Sequence, residues 1–336
     1  MRVLLIGGSG FLGGHAARAL LEAGQEVSVL SRGNRPPLAG VETLRAERRD
    51  PASLAGALEG RRFDFTVDFA AYDAVDIERL LLIPYAALGR YVLISTGQVY
   101  LVTRCPHTPY REEDSEHPLK PEPPADTPDH REWSYGVGKR RAEGALLSLR
   151  ASHGVRGVIL RPPVIVGEGD HSLRLWAYLE RMLDGGPIVL PEGGRQPIRF
   201  LHAGDLARVV LRLLESKPPR QAIYNLAQPD VLTLREVLER VARAAGVTPR
   251  FTDASWEELA DAGIERSFSP YAGPWVSLLD PSRAGAEWGF LGTRMDDHLP
   301  GVVSWHLEHR PAASHPGYAQ RGLERELAAR PAAVAR

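Results

Sequence analysis

One cysteine, Cys105, is all the thiol this chain carries. An internal disulfide is therefore impossible, and the composition fits a reducing compartment. Cys105 sits in a polar, proline-flanked stretch with no base beside it in the sequence, a poor setting for a nucleophile. Net charge is equally scarce. Lys and Arg number 41 against 42 Asp and Glu, a formal balance of −1. That removes the electrostatic footprint of a nucleic-acid or anionic-membrane binder at whole-chain level. No run approaches the roughly 18 apolar residues of a membrane span. The apolar start of MRVLLIGGSG is too short for a signal peptide and enters a glycine turn directly. Internal repeats are absent as well. These absences make the cytoplasm the expected location, with no nucleic-acid and no membrane partner. What is present, 43% hydrophobic and 25% charged residues over 336 positions, suits a globular protein of two lobes.

Apolar strand-like runs alternate with helix-like runs from the start. Val3 to Ile6 reads as a buried strand, His15 to Ala23 as a helix ended by Gly24, and EVSVLSR (Glu26 to Arg32) as a second strand. VETLRA is a weaker third strand, and PASLAGALEG a helix with Pro51 in its first turn. FTVDFAAY (Phe65 to Tyr72) and RYVLIST (Arg90 to Thr96) are further strands, with the helix-like DIERLLLIPYAAL between them. WSYGVGKRRAEGALLSLRASHG is a long helix and VRGVILRPP the strand that follows. Such alternation implies an α/β class: a doubly wound parallel sheet with helices on both faces. Residues 1–165 form it, with 196–228 returning to it.

Beyond Pro163 the strands are short, and Gly and Pro become frequent. Residues 166–195 and 229–310 read as a smaller, mixed C-terminal substrate lobe. HAGDLARVVLRLLES and TLREVLERVARAAG are helices, the second opening with the capping-box spacing Thr233-x-x-Glu236. His202 and Asp205, at the start of the first, suit capping and packing. YREEDSEHPLKPEPPADTPDH (Tyr110 to His130) is a long charged loop, and 311–336 a surface helix or frayed tail.

GGSGFLGG, between the first strand and the first helix, sets Gly7, Gly10 and Gly13 three apart. Such a turn lets backbone amides close on a pyrophosphate at a helix N-terminus, where the dipole favours anions. The second strand ends in Ser31-Arg32, where many dinucleotide sites carry an acid for the ribose hydroxyls. An acid would repel a 2′-phosphate, whereas a guanidinium pairs with it, so NADP is expected over NAD. Tyr135 and Lys139 lie four apart on a predicted helix and so on one face. A phenol with a pKa of about 10 is a weak base at neutrality, and a neighbouring ammonium lowers that value. The pair suits proton transfer at a substrate oxygen while hydride moves to or from nicotinamide.

The G-x-x-G-x-x-G spacing together with Y-x-x-x-K resembles the short-chain dehydrogenase/reductase superfamily, in its extended, NAD(P)-dependent epimerase/dehydratase branch. The resemblance runs over roughly residues 1–245. It implies a Rossmann-like sheet and assigns Gly7, Gly10, Phe11, Leu12 and Gly13 to the cofactor. In YVLISTGQVY, aligning Val99-Tyr100 with the family's Val-Tyr makes Thr96 the hydroxyl that orients the substrate oxygen, with Ser95 the close alternate. Phe69, Ala70 and Ala71 of VDFAAY would border the cofactor. Pro162, Pro163 and Val164 of LRPPVIVGEGD would lie at its nicotinamide end. Family members often dimerise through the tyrosine-bearing helix and its neighbour, so a homodimer is expected.

Several departures narrow the function. Dehydratases of the branch follow the threonine with Asp-Glu, and this chain has Gly97-Gln98, which cannot exchange protons. Val164 stands where nucleotide-sugar epimerases usually carry asparagine. Ala46-Glu47 replaces the Gly-Asp near adenine. The stretch between Tyr100 and Tyr135 exceeds the family's by about a dozen residues, which makes Tyr110 to His130 a candidate lid. His306, His309 and His315 lack a fixed metal-ligand set, and Pro311 breaks any shared helix, so no metal site is expected. Trp133 is assigned to packing. The leading expectation is hydride transfer between NADP(H) and a carbinol or carbonyl carbon of a small molecule. An epimerase with tightly bound NAD is the alternative. SRGNRP with ISTGQVYL also resembles the atypical branch that includes chloroplast stem-loop-binding proteins, which leaves a non-catalytic nucleotide- or RNA-binding role as a third possibility.

Overall fold

The computed structural model describes residues 1–83 and 87–330. The helical reading of Asp76 to Leu88 and the tail reading of 311–336 thus fall in part outside the described residues. The chain divides into two compact units.

The first unit comprises Met1–Ile165, Leu201–Ala227 and Ser277–Gly292. Its opening elements are β1 (Arg2–Ile6), α1 (Phe11–Glu22), β2 (Glu26–Ser31), β3 (Glu42–Arg45), α2 (Pro51–Leu58) and β4 (Phe65–Asp68). They are followed by α3 (Ala74–Leu81), β5 (Arg90–Ile94), α4 (Gln98–Leu101), α5 (Pro128–His153) and β6 (Gly157–Arg161). With the strand Ile223–Asn225 they build a seven-stranded parallel sheet, ordered Ile223–Asn225, β6, β5, β4, β1, β2, β3. From β1 the chain winds outward to β3, then restarts on the other side at β4. The crevice at the carboxyl ends of β1 and β4 is therefore the topological switch point, where open α/β sheets bind ligands.

Alternation along β1 explains why both faces are covered. Val3 and Leu5 join a cluster with Ala16 and Leu20 of α1 and Leu206 and Val210 of the helix Ala203–Glu215. Leu4 and Ile6 join Leu54, Ile77, Leu80 and Leu146 from α2, α3 and α5 on the opposite face. A strand buried on both sides reads as an unbroken apolar run, and RVLLI is one.

Local signals set the element ends. Asp50 accepts from Ala52 N at 3.0 Å to start α2, with Pro51 in its first turn. The helix α5 begins at Pro128 and not, as its apolar pattern suggests, near Trp133. Thr127 Oγ1 accepts from His130 N at 3.1 Å, and Pro128 has no amide that needs a partner. Gly154, at φ 66°, closes the helix.

Part of the candidate lid Tyr110 to His130 is tied to the first unit by backbone. Tyr110 N donates to Leu278 O at 2.7 Å, and Asp280 N donates to Tyr110 O at 2.8 Å. Glu112–Glu116 forms a 3-10 turn, and its Glu112, Asp114 and Ser115 are buried. The same pairing draws Ser277–Gly292 into the first unit, although its sequence position suggests the smaller lobe.

The second unit holds Val166–Phe200, Gln228–Val276 and the described residues from Thr293 on. Its helices include Arg174–Leu183, Leu234–Ala245, Met295–Glu308 and Arg321–Ala329. Thr233 and Glu236 form the expected capping box. Short two-stranded pairings replace a central sheet: Phe251–Ala254 lies parallel to Ile188–Pro191, and Leu232–Thr233 antiparallel to Pro197–Ile198. Residues 311–330 are more than a loose tail. Buried Arg181 and Glu324 pair at 2.9 Å, and Val189 N donates to Glu324 Oε1 at 3.0 Å. Alanine and arginine suggest exposure by composition, yet Arg321 of this stretch is buried too and donates to Asp184 Oδ2 at 2.7 Å.

Candidate cofactor and catalytic site

The glycine turn is shaped by backbone. Gly7 has φ 77°, a left-handed conformation that favours glycine, and its N–H donates to Leu30 O at 3.0 Å. That bond sets the turn against the end of β2, where Ser31 and the solvent-exposed Arg32 follow. Ser31 Oγ accepts from Gly33 N at 3.3 Å, and Arg32 makes no ion pair among the described residues. Gly10 is the N-cap of α1, and no side chain caps the helix. A Cβ built on Gly13 would overlap Gly8 Cα and sit 2.8 Å from Gly7 O, so packing alone demands glycine there. A Cβ on Gly10 would meet only Gly7 O, at an ordinary 3.5 Å. The protein itself leaves room at Gly10, and that room faces the helix N-terminus, where an anion is favoured. Phe11 and Leu12 lie half-buried in the first turn of α1.

Three other strand ends converge on this crevice. After β4, Phe69 N donates to Ile6 O at 3.0 Å, and a Cβ on Gly7 would lie 3.0 Å from Ala70 Cβ. Two aspartates hold the chain there. Buried Asp68 accepts from both terminal guanidinium nitrogens of Arg48 (3.0 and 2.9 Å), the Tyr91 hydroxyl (2.5 Å) and Ala70 N (2.8 Å). Asp76 accepts from Tyr72 N and Asp73 N at 2.8 and 3.1 Å. Burial raises the Asp76 pKa, but the hydrogen bonds from Arg49 and Tyr72 N and the charges of Arg48 and Arg49 outweigh it, so it stays below the usual carboxylate range. Ala71 is buried at the end of this stretch.

After β5, the two hydroxyls separate in role. Ser95 donates to Glu143 and is buried, whereas Thr96 is half-buried and accepts from Gln98 N at 3.2 Å. Gly97 N donates to Pro162 O at 2.7 Å, which ties this end to Pro162, Pro163 and half-buried Val164 after β6. Gln98 donates to Glu132 Oε2 at 2.9 Å.

On α5, Gly138 lets the helix approach the β4 end, since a Cβ there would lie 2.5 Å from Tyr72 O. One turn of helix separates two contrasting environments. Tyr135 is 39% exposed, while Lys139 is 2% exposed. Lys139 Nζ donates to Ala71 O at 2.8 Å and Ile94 O at 2.7 Å, and lies 5.5 Å from the ring centre of Tyr72. The Tyr72 ring is in turn 6.3 Å from that of Tyr135. Burial lowers the Lys139 pKa to about 8, with Asp68 and Glu143 opposing the fall. An ammonium has three donors, so one remains after the two carbonyls.

The sequence reading missed the support behind this surface. Arg161, at the end of β6, donates to Glu143 (3.0 and 2.6 Å), the Tyr100 hydroxyl (2.7 Å), Glu112 O (2.8 Å) and Ser115 Oγ (3.0 Å). Tyr100 donates to Asn225 Oδ1 at 2.7 Å, and Asn225 N donates to Glu112 Oε1 at 2.8 Å. Glu143 continues the one-in-four spacing of Tyr135 and Lys139, which is the one signal that pointed to it.

The model of the NAD-dependent epimerase/dehydratase family matches residues 3–227. The 2′-dehydrokanamycin reductase of Streptomyces kanamyceticus is 29% identical over 272 residues, covering 78% of this chain and 73% of the relative. The chloroplast stem-loop binding protein of 41 kDa b from Arabidopsis thaliana is 26% identical over 262 residues, 73% of this chain and 63% of that relative. Among solved structures, DesIV, a dTDP-glucose 4,6-dehydratase from Streptomyces venezuelae with NAD and TYD bound, superposes with a TM-score of 0.70. The superposition covers 92% of this chain and 98% of DesIV at 23% identity, and so speaks to the fold.

Proposed function

The chain belongs to the NAD-dependent epimerase/dehydratase family, and from that premise we propose that it moves hydride between NADP(H) and a carbonyl or carbinol carbon of a small molecule. It is an NAD(P)-dependent enzyme of the short-chain dehydrogenase/reductase type. The residues present fit such a cofactor: the space at Gly10 serves no packing need, and it opens on an uncapped helix N-terminus. Gly7, Gly10 and Gly13 would hold its pyrophosphate, and its nicotinamide would supply or accept the hydride.

The chain's own groups then divide the remaining work. Thr96 hydrogen-bonds the substrate oxygen, since Ser95 is held by Glu143. Tyr135 gives its phenolic proton to that oxygen on reduction, or takes one from the carbinol on oxidation. Lys139 offers its third donor to the ribose hydroxyls, and its charge favours the phenolate. Phe69, Ala70, Pro162 and Val164 border the cofactor. The observation that carries the reading is the half-exposed phenol of Tyr135 one turn from the buried ammonium of Lys139, on the helix that meets the ends of β4 and β5.

Elimination chemistry is disfavoured, because Gln98 has no titrating proton and is bonded to Glu132. The reductase relative supports carbonyl reduction, with sugar-type ketones first in a substrate panel. Exposed Arg32, with no ion pair among the described residues, supports the 2′-phosphate of NADP. A homodimer through α5 and its neighbour, acting in the cytoplasm, completes the proposal, and a monomer in sedimentation removes the dimer.

Titration with NADPH and NADH is the first test, where tighter NADPH binding that weakens roughly tenfold in Arg32→Ala is expected. A clear NADH preference removes Arg32 from this role. Tyr135→Phe should lower turnover by about 10²–10⁴-fold and leave cofactor binding intact. Copurified nicotinamide with no net cofactor consumption would instead favour epimerisation. An RNA shift that weakens with salt, without redox activity, would favour the third reading.

A further inference from the structure

Between α4 and α5 the insert brings together four side chains that the reading above does not use. Cys105, His107, Asp114 and His117 each point a ligand atom to one place, and these atoms all lie within 4.8 Å of one another. His107 Nε2 is 3.5 Å from Asp114 Oδ1, and the rings of His107 and His117 meet edge to face at 6.5 Å. Arg111 N occupies Asp114 Oδ2 at 2.7 Å, which leaves Oδ1 turned to the cluster.

The two arms carrying these ligands are joined by backbone. Arg104 N donates to Pro118 O at 2.8 Å, Lys120 N donates to Val102 O at 2.8 Å, and Thr103 and Leu119 form an antiparallel bridge. Glu112 and Ser115, on either side of Asp114, are gripped by Arg161. The backbone that carries the ligands is thus tied together without an ion. Thiolate and imidazole ligands suit zinc over magnesium or calcium. A thiolate and a carboxylate balance the charge of Zn²⁺, with both imidazoles neutral. Zinc–ligand bonds of about 2.0–2.3 Å place tetrahedral ligands roughly 3.3–3.8 Å apart, so side-chain rotation of about an ångström closes the set.

We propose that Cys105, His107, Asp114 and His117 bind one zinc ion. Binding converts the Cys105 thiol to a zinc-bound thiolate and releases its proton to solvent. Four protein ligands leave no open position, so the ion staples the two arms of the insert and does no chemistry on a substrate.

The lone cysteine makes the test clean, because alkylation reports Cys105 alone. The full chain, washed free of metal with a chelator, is treated with iodoacetamide with and without one equivalent of Zn²⁺. Zinc should slow alkylation at least about tenfold, since thiolate availability sets the rate. His117→Ala and Asp114→Asn should lose that protection while keeping the far-ultraviolet circular dichroism of the parent. Co²⁺ should give a thiolate charge-transfer band that Cys105→Ser abolishes. Alkylation unaffected by zinc, or zinc protection that persists in both variants, overturns the proposal.

Discussion

Two regions at the carboxyl ends of the same sheet are built in opposite ways. The turn after β1 is made of backbone, carries no charge of its own and has no side chain capping the helix behind it. The region after β6 is made of side chains and leaves nothing unmet: the five N–H groups of Arg161 enter five hydrogen bonds. The first arrangement suits binding, because its amides gain most when an anion arrives. The second suits holding, because every donor is already matched inside the fold. A guanidinium with all its hydrogens committed is a strut, whatever its place near a site.

The most disruptive way to test that contrast is Arg161→Leu. It leaves Glu143 buried without its cation and releases Glu112 O, Ser115 and the Tyr100 hydroxyl together. Breaking a buried pair on one side costs about 3–5 kcal/mol. Urea unfolding should show a loss of that size, and Arg161→Leu with Glu143→Leu should recover part of it. A loss below about 1 kcal/mol would mean that the network is not a strut.

Lys139 stands between the two regions, buried like the strut yet with a donor to spare. Its pKa falls from 10.5 to about 8 on folding, chiefly through burial. Below about pH 8 both folded and unfolded chains carry the proton, and the full cost of burying the charge is present. Between about pH 8 and 10.5 the unfolded chain keeps a proton that the folded chain has released, so this group makes stability rise with pH. Above 10.5 the cost is gone. The shift corresponds to about 3 kcal/mol. Lys139→Met also frees Ala71 O and Ile94 O, a loss that does not vary with pH. The stability of the parent relative to the variant should therefore climb by about 3 kcal/mol from pH 7 to 10.5. A flat difference across that window would mean that the ammonium is not desolvated.

The difference between the regions also explains what could be read from the sequence. A backbone-built turn has to be written in glycine, between a strand and a helix, so Gly7, Gly10 and Gly13 were legible. So were the alternating elements and the face shared by Tyr135 and Lys139, because helical period is local. Side-chain networks join residues remote in sequence. Nothing in LRPP says that Arg161 turns inward to Glu143 and Ser115. Nothing near Cys105 in sequence says that His117 folds back beside it, although His107 is two residues away. The insert reads as a loop because its prolines and charges are those of loops, yet Tyr110 forms a parallel bridge with Leu279. The resemblance favours Thr96 over Ser95, and the bond from Ser95 to Glu143, which joins residues remote in sequence, is a further difference between the two hydroxyls that the sequence does not carry.

The smallest expected effects fall within the turn itself, and they divide the two kinds of requirement most finely. Gly13→Ala places a Cβ against Gly8 Cα and Gly7 O, backbone that cannot step aside. It should cost about 1–3 kcal/mol of stability, as overpacking does, whether or not cofactor is present. Gly10→Ala meets only Gly7 O at 3.5 Å, so its melting temperature without cofactor should match the parent's. The methyl group enters the space above the uncapped end of α1, where the pyrophosphate is expected to lie. Cofactor affinity should fall about tenfold, near 1.4 kcal/mol. Calorimetric titration of both variants, beside thermal unfolding without ligand, separates the outcomes. If Gly10→Ala binds NADPH as the parent does, the open space at Gly10 is not where the dinucleotide approaches, and the case for binding at this turn fails while the case for the strut stands.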